Sequence, residues 1–103
     1  MISRGEIWTA VIASKSRPVL VLTRDSVIDV RELVTVAEVT TVIRGISAEV
    51  QFDWSSTGLS RESVINCDGI HTVRRRALTE IVGPVSESVM NQVCSAVTYA
   101  IGC

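Results

Sequence analysis

One arginine stands where a strongly β-type run of the sequence begins. Arg17 is followed by Pro18 and by the apolar run 19–22, which is too short and too rich in β-branched residues to favour a helix. Proline has no N–H for a sheet ladder, so we expect Pro18 at the start of a strand buried on both faces, with Arg17 extended before it. A permanent cation held in this way can bind an anion, although an ordinary surface arginine would suit the same place.

Other residues with useful chemistry are scattered along the chain. His71 is the only histidine, and imidazole side chains exchange protons near neutral pH, which suits general acid or base catalysis. Arg74 opens a run of three arginines that could attract a polyanion, although charge runs more often form a solvated face. Lys15 is the only lysine. Thr40 and Thr41 end a segment in which threonine also suits a strand by propensity alone.

The composition indicates one folded, nearly neutral domain. The chain has 103 residues, of which 47% are hydrophobic, and this length leaves room for a single domain over residues 1–103. Its 10 basic and 11 acidic side chains give a net charge of −1. Domains that bind nucleic acid over a broad surface are usually basic, so any such contact is expected to be a local patch.

The cysteines and the apolar segments indicate the cellular compartment in which the protein is expected. Cys67, Cys94 and Cys103 are odd in number and widely spaced, which argues for a reducing cytosol and against a disulfide framework or a zinc site. The N-terminus has no apolar run of the kind that a signal peptide needs. No stretch reaches the roughly 20 apolar residues that span a bilayer. We therefore expect a cytoplasmic protein without a membrane partner, a metal or another cofactor.

Hydrophobic periodicity predicts a series of short strands followed by one helix. Strands are predicted at residues 6–13, 19–22, 33–39, 48–54, 63–67 and 70–73. A tight connection at residues 14–16 joins the first two strands as a hairpin, and Asp68-Gly69 is predicted to be the turn between the last two. Residues 25–29 suit a helical turn or a loop, residues 74–78 suit a helical turn, and residues 82–85 are predicted to break the chain.

The last segment, residues 86–101, has the spacing of an amphipathic helix. Ser86 is suited to be its N-cap and Gly102 its stop. The apolar stripe on this helix is predicted to pack in the core. Strands followed by one terminal helix indicate a mainly β (α+β) fold, a small antiparallel sheet or barrel closed by the helix.

Several segments, taken in order, resemble one protein family. Arg-Gly-Glu-Ile-Trp (4–8) resembles the opening of the MazF/PemK-type toxin endoribonucleases, or mRNA interferases, and Arg-Pro-Val-Leu-Val-Leu (17–22) resembles their next strand. Val-Ala-Glu-Val-Thr-Thr (36–41) is similar to a strand end of that family. The segments 57–59, 63–73 and 76–83 follow its pattern as well. Together these segments cover nearly the whole chain.

The resemblance implies a fold, an activity and partners. The fold would be a small SH3-like antiparallel β-barrel closed by a C-terminal helix, the CcdB/PemK-like fold. The activity would be that of a toxin of a type II toxin–antitoxin system, a metal-independent, sequence-specific endoribonuclease that cleaves single-stranded RNA and thereby inhibits translation and growth. The expected partners are the RNA, a cognate MazE-like antitoxin and a second copy of the chain in a homodimer.

The resemblance also assigns roles to residues. Metal-free cleavage of RNA can use the 2′-hydroxyl as the nucleophile and leave a cyclic phosphate. Arg17 would then stabilise charge on the phosphate, and Thr40 would donate a hydrogen bond to the same group. Four further residues are expected to be catalytic or to bind RNA: Lys15, Thr41, His71 and Arg74.

The sequence departs from the family pattern at three places. The loop between the first two strands is shortened to residues 13–16, so the glutamate that the family carries there has no counterpart. Gly69 replaces the glutamine that precedes isoleucine in the family, and His71 replaces the arginine that follows it. We expect Lys15 and His71 to take over part of the recognition of RNA.

Two other functions are also consistent with the sequence. Gyrase poisons of the CcdB type share this fold without being nucleases, but they end in Trp-Gly-Ile, whereas this chain ends in Ala-Ile-Gly-Cys. A non-catalytic barrel that serves only as a binding module would be consistent with the lost glutamate loop.

Overall fold

Six strands and two helices form the part of the chain, residues 2–102, that the computed structural model describes. The strands are β1 (Glu6–Ile12), β2 (Lys15–Val21), β3 (Leu33–Thr40), β4 (Glu49–Gln51), β5 (Val64–Arg74) and β6 (Leu78–Pro84). The helices are α1 (Asp25–Ile28) and α2 (Glu87–Ile101), and short 3₁₀ turns occupy Trp54–Ser56 and Arg75–Ala77.

The strands form one antiparallel sheet in the order β4-β5-β3-β2-β1-β6. This arrangement and the terminal helix confirm the predicted mainly β class, but the sheet is open, with β4 and β6 as its edges. The segment after β4 nevertheless packs against β6. Any side chain at Gly83 would overlap the carbonyl group of Thr57, and a Cβ at Gly58 would lie 2.9 Å from the Val82 carbonyl oxygen. The sheet therefore curls far enough for the segment after one edge strand, β4, to contact the other edge strand, β6, although β4 and β6 do not pair.

Both faces of the sheet are apolar. On one face, α2 covers a core that includes Ile7, Leu20 and Ile65. On the opposite face, a second core includes Val19, Val21, Val34, Val36 and Ile28 of α1. Since neighbouring residues of a strand point to opposite faces, the fully buried run Val19–Val21 contributes to both cores, as predicted for a strand without a solvent-exposed face.

The predicted hairpin is present, but the strand that contains Pro18 begins earlier than predicted. β1 and β2 are joined by the two-residue turn Ala13-Ser14, and Ile12 pairs with Lys15. β2 therefore begins three residues before Pro18, which we had expected to start the strand. The proline is tolerated inside β2 because the pairing with β3 begins only at Val19, so this end of β2 has a partner strand on one side only.

The predicted helix is confirmed, and its caps are those expected. Ser86 Oγ accepts a hydrogen bond from the Val89 N–H at 3.1 Å, and Gly102 ends α2 with a φ of 78°. The buried residues of α2 are Met90, Val93 and Ala96. The stripe predicted from the sequence recurs every four residues at Val89, Val93, Val97 and Ile101, with Met90 and Cys94 beside it. Of these residues, Cys94 and Ile101 are exposed. A stripe spaced by four residues drifts around a helix of 3.6 residues per turn, so its far end turns away from the sheet. Within residues 2–102, no helix is long and apolar enough to cross a membrane.

The strand predicted at residues 48–54 is much shorter in the structure. β4 has three residues, and Trp54 already belongs to a 3₁₀ turn. Side-chain hydrogen bonds hold this turn: Ser55 Oγ donates to Asp53 Oδ1 at 2.7 Å, and Thr57 Oγ1 donates to the Trp54 carbonyl at 2.6 Å. Such local bonds compete with a sheet ladder, which is why the alternating pattern overestimated the strand.

The end of the sheet was also predicted wrongly at two places. Asp68-Gly69 is not a hairpin turn, because β5 runs without interruption from Val64 to Arg74. β5 instead bulges against β3 at this point: Ala37 pairs with Ile70, but the next residue, Glu38, pairs with Asn66. The predicted break at residues 82–85 lies largely within β6, whose pairing with β1 tolerates Gly83 and Pro84 at an edge strand.

Candidate active site

A small cleft opens beyond Val19 and Glu38, where the pairing between β2 and β3 ends. It has a volume of about 200 Å³ and is lined by Arg17, Pro18, Glu38, Val39, Thr40 and Thr41. The structure thus brings together three residues that the sequence singled out, Arg17, Thr40 and Thr41, and adds one that it did not, Glu38.

The register between β2 and β3 explains why these residues meet. Val19 pairs with Glu38, and the following residues continue this antiparallel register. Extending it by two residues places Arg17 opposite Thr40. Because side chains two apart share a face of the sheet, Arg17 and Thr40 lie on the face of Val19 and Val36, away from α2.

Arg17 and Thr40 differ in how firmly they are held. Arg17 is exposed, and within residues 2–102 it forms no ion pair and no side-chain hydrogen bond, so its guanidinium is available to an anionic ligand. Thr40 is half-buried, and its Oγ1 accepts a hydrogen bond from the Val42 N–H at 3.1 Å. That bond orients the hydroxyl but leaves its proton free for donation, so the pair can offer several donors to one phosphate group.

Glu38 forms the closest polar contact in this region. Its Oε2 lies 2.5 Å from Nε2 of His71, and the two side chains are 27% and 37% exposed, respectively. The contact joins a carboxylate of the cleft to the only histidine of the chain. His71 itself does not line the cleft but lies behind Glu38 on β5.

The bulge in β5 makes room for the Glu38 side chain. The residues 67–69 lie between the partners of two consecutive β3 residues, and Cys67 N instead donates to the Ala48 carbonyl at 2.8 Å. A Cβ at Gly69 would lie 2.9 Å from Cδ of Glu38. Position 69 can therefore carry a side chain only if the carboxylate moves.

The other predicted residues are not brought into the cleft. Lys15 shares a face of β2 with Arg17 but lies at the exposed tip of the hairpin, where it pairs with Ile12. Arg74 pairs with Leu33 at the opposite end of β3 from Thr40, roughly 20 Å along the strand. Its guanidinium forms an exposed ion pair with Glu32 at 3.6 Å.

Glu38 is the residue that the sequence analysis missed. The available signal was an acidic residue within the otherwise apolar and threonine-containing segment 33–41. A charge on an inner strand is costly unless it is paired, and that cost could have marked Glu38 as a site residue. Its partner, 33 positions away, could not be identified without the register of β3 and β5.

Larger clefts exist, but their chemistry is different. One of about 590 Å³ lies between α2 and the segment around α1, with Arg4, Arg24 and Arg31 on its rim. Arg4 already donates hydrogen bonds to the Leu22 carbonyl and to Cys94 Sγ. This cleft contains no acidic side chain or histidine, so it lacks the combination of an anion-binding cation and a proton acceptor that the smaller cleft has.

The thiols and possible metal ligands add no second site in the described part of the chain. Cys67 is buried and Cys94 exposed, and both are free; Cys103 lies outside the described residues. Within residues 2–102, no three His, Cys, Asp or Glu side chains are grouped as metal ligands would be.

Comparison with known proteins identifies the family. The model of the family described as "PemK-like, MazF-like toxin of type II toxin-antitoxin system" matches residues 3–101. The chain is 34% identical over 102 residues to the probable endoribonuclease MazF5 of Mycobacterium tuberculosis, with 98% of this chain and 94% of that protein covered. The solved Mycobacterium tuberculosis toxin MazF-mt6 superimposes with a TM-score of 0.87 at 34% identity, covering 94% of this chain and 96% of that one.

A more distant structure shows the same fold. A mycobacterial endoribonuclease solved in complex with its cognate antitoxin has a TM-score of 0.89 at 24% identity, over 99% of this chain and 96% of that one. The resemblance that the sequence segments indicated is thus confirmed by comparisons over nearly the full chain. This chain belongs to the PemK-like, MazF-like family of toxins of type II toxin–antitoxin systems.

Proposed function

We propose that this protein is a toxin endoribonuclease that cleaves single-stranded RNA. The observation that carries the proposal is the position of Arg17 opposite Thr40 in an open cleft, in a chain whose relatives at 34% identity are named endoribonucleases. The guanidinium supplies a fixed, bidentate charge for a phosphate, and the hydroxyl supplies a further donor. Cleavage of RNA without a metal needs such donors where charge develops on the phosphate.

The reaction we infer is attack by the 2′-hydroxyl of the RNA on the adjacent phosphate. The products are a 2′,3′-cyclic phosphate and a 5′-hydroxyl. Arg17 stabilises the charge of the pentacoordinate intermediate, and Thr40 donates a hydrogen bond to the same oxygen atoms. We propose that Thr41 at the edge of the cleft and Lys15 at the hairpin tip contact neighbouring nucleotides. Arg74 is expected to contribute less to RNA binding, because it already forms an ion pair with Glu32.

The partners follow from membership in the family. A type II toxin–antitoxin system pairs a toxin with a cognate antitoxin. We propose that the antitoxin of this chain is a MazE-like protein that inhibits it in the cytoplasm. We also propose a homodimer. Light scattering of the purified toxin should give about twice the 11.2 kDa mass of one chain, and a mass of one chain at micromolar concentration would refute the dimer.

The test of the activity is a comparison of Arg17→Ala with wild type on a long single-stranded RNA in EDTA. We expect wild type to cut at specific sites with cyclic phosphate ends, and Arg17→Ala to cut at least about 100-fold more slowly, as when one charge-stabilising donor is lost. Arg17 is exposed, so the melting temperature should not change. Arg61→Ala, an exposed arginine outside the cleft, is the matched control.

The outcomes separate the alternative functions. Full cleavage by folded Arg17→Ala would contradict the assigned role of Arg17. Intact RNA with wild type, combined with inhibition of gyrase, would favour a poison of the CcdB type. Intact RNA without gyrase inhibition would favour a non-catalytic binding module.

A further inference from the structure

The Glu38 carboxylate lies at a position in the sheet where a charged side chain is unfavourable unless it is paired. β3 is an inner strand, flanked by β2 and β5, and the two preceding residues of the same row, Val34 and Val36, are fully buried. A carboxylate next to such a core loses part of its hydration, which is unfavourable unless hydrogen bonds replace it. His71 provides one such bond, at 2.5 Å.

Two features of the backbone accommodate this side chain. The bulge of β5 displaces residues 67–69 from the register opposite Glu38, and Gly69 leaves the space that the carboxyl group uses. Glu38 is also the only acidic residue that lines the cleft with Arg17 and Thr40, among the residues described. Arg17 does not neutralise it, since no ion pair joins them.

We propose that Glu38 is the general base of the cleft and that His71 positions it; this inference rests on the proposed ribonuclease function. Oε2 of Glu38 is held by His71, whereas Oε1 has no hydrogen bond within residues 2–102 and can accept a proton. The 2′-O–H bond breaks and its proton passes to Oε1 as the 2′-oxygen forms its bond to phosphorus. The bond from phosphorus to the 5′-oxygen then breaks, and that oxygen takes a proton from water. Glu38 returns its proton to the resulting hydroxide, so no net proton is gained or lost.

The assignment makes a specific prediction for two variants of Glu38. Glu38→Gln keeps the size of the side chain and a hydrogen bond to His71 but cannot accept the proton, so we expect kcat to fall by roughly 10²–10⁴-fold with unchanged RNA affinity. Glu38→Ala should be equally slow, but added formate should restore its cleavage by at least about tenfold by serving as the base. Formate should not restore Glu38→Gln, whose side chain still fills the space. A purely structural role for Glu38 would show no such rescue.

His71 variants distinguish positioning from direct proton transfer. His71→Gln retains an N–H that can donate to Glu38, whereas His71→Ala does not, so we expect His71→Gln to keep clearly more activity than His71→Ala. Equally low activity of His71→Gln and His71→Ala would show instead that the histidine exchanges the proton itself, because the glutamine amide can donate a hydrogen bond but cannot transfer a proton; that result would overturn the assignment to Glu38.

Gly69→Ala provides an independent test without removing either group. The new Cβ would lie 2.9 Å from the Glu38 carboxyl carbon, which is closer than the two atoms can approach, so the carboxyl group must shift from the position it holds beside His71. Because the carboxyl group is the mobile end of a side chain, we expect kcat to fall while the melting temperature changes little. Unchanged kcat in either Glu38→Gln or Gly69→Ala, measured on RNA that wild type cleaves, would refute the inference. Failure of wild type itself to cleave RNA would refute the proposed function instead.

Discussion

Cys67 is the residue whose environment most clearly changes its chemistry. Its side chain is fully buried beside Val93 of α2. Burial, with smaller contributions from Asp68 and Cys94, raises the pKa of the Cys67 thiol from 9.0 to about 11. The fold therefore favours the neutral thiol, and this buried cysteine is a poor nucleophile at neutral pH.

The raised pKa predicts how stability depends on pH. Since the folded pKa lies above the unfolded one, the contribution of the thiol is complete below about pH 9 and is lost as the pH rises towards 11. We expect the free energy of unfolding of wild type to fall by about 2 kcal/mol more than that of Cys67→Ala between pH 8 and pH 10.5. Urea titrations at both pH values measure the difference between the two proteins, in which the contributions of the groups that both contain cancel. An equal decrease in the free energy of unfolding of the two proteins would contradict a buried neutral thiol.

At the scale of the element, the turn of the β1–β2 hairpin has a sequence that does not favour its backbone conformation. Ala13 and Ser14 have φ values of 51° and 67°, the left-handed values of a two-residue type I′ turn, in which Asn-Gly is preferred. We expect the double variant Ala13→Asn/Ser14→Gly to raise the free energy of unfolding by roughly 1 kcal/mol, because both residues then adopt their conformation with less strain.

The turn variant should leave catalysis unchanged. Arg17 lies three residues beyond Ser14 on a strand whose register does not change, so kcat on single-stranded RNA is expected to equal that of wild type. Placing Asn-Gly one residue later, at Ser14 and Lys15, is the control that should not stabilise the hairpin. Equal stability of wild type and the Ala13→Asn/Ser14→Gly variant would show that the turn carries no strain.

At the scale of the whole molecule, the balance of charge limits how RNA can be held. With 10 basic and 11 acidic side chains, the protein has no general attraction for a polyanion. We therefore expect RNA binding to depend on a few local cations, first Arg17 in the cleft and Lys15 at the hairpin tip. Two or three neutralised phosphates predict a slope of roughly −1.4 to −2.1 for log K against log salt concentration with a single strand. Fluorescence anisotropy with an RNA lacking the reactive 2′-hydroxyl measures it, and a slope steeper than about −4 would indicate a broad basic surface instead.

Local patterns of the sequence determined much of this protein. The period of the apolar residues and the caps Ser86 and Gly102 predict α2, and the apolar run after Pro18 predicts the buried part of β2, because these signals depend on neighbours along the chain. The family motifs also pointed to Arg17 and Thr40 before their register was known, and their catalytic roles remain predictions.

Only the tertiary structure shows how the strands are connected and which side chains meet across the sheet. A period-two pattern cannot distinguish a turn from a bulge, so Asp68-Gly69 was wrongly predicted to be a hairpin turn. The end of β6 was wrongly predicted to be a break in the chain. The contact of Glu38 with His71 depends on that bulge, on the space at Gly69 and on pairing between residues 33 positions apart. Such a contact is fixed by the register of the whole sheet, and no local property of either residue encodes it.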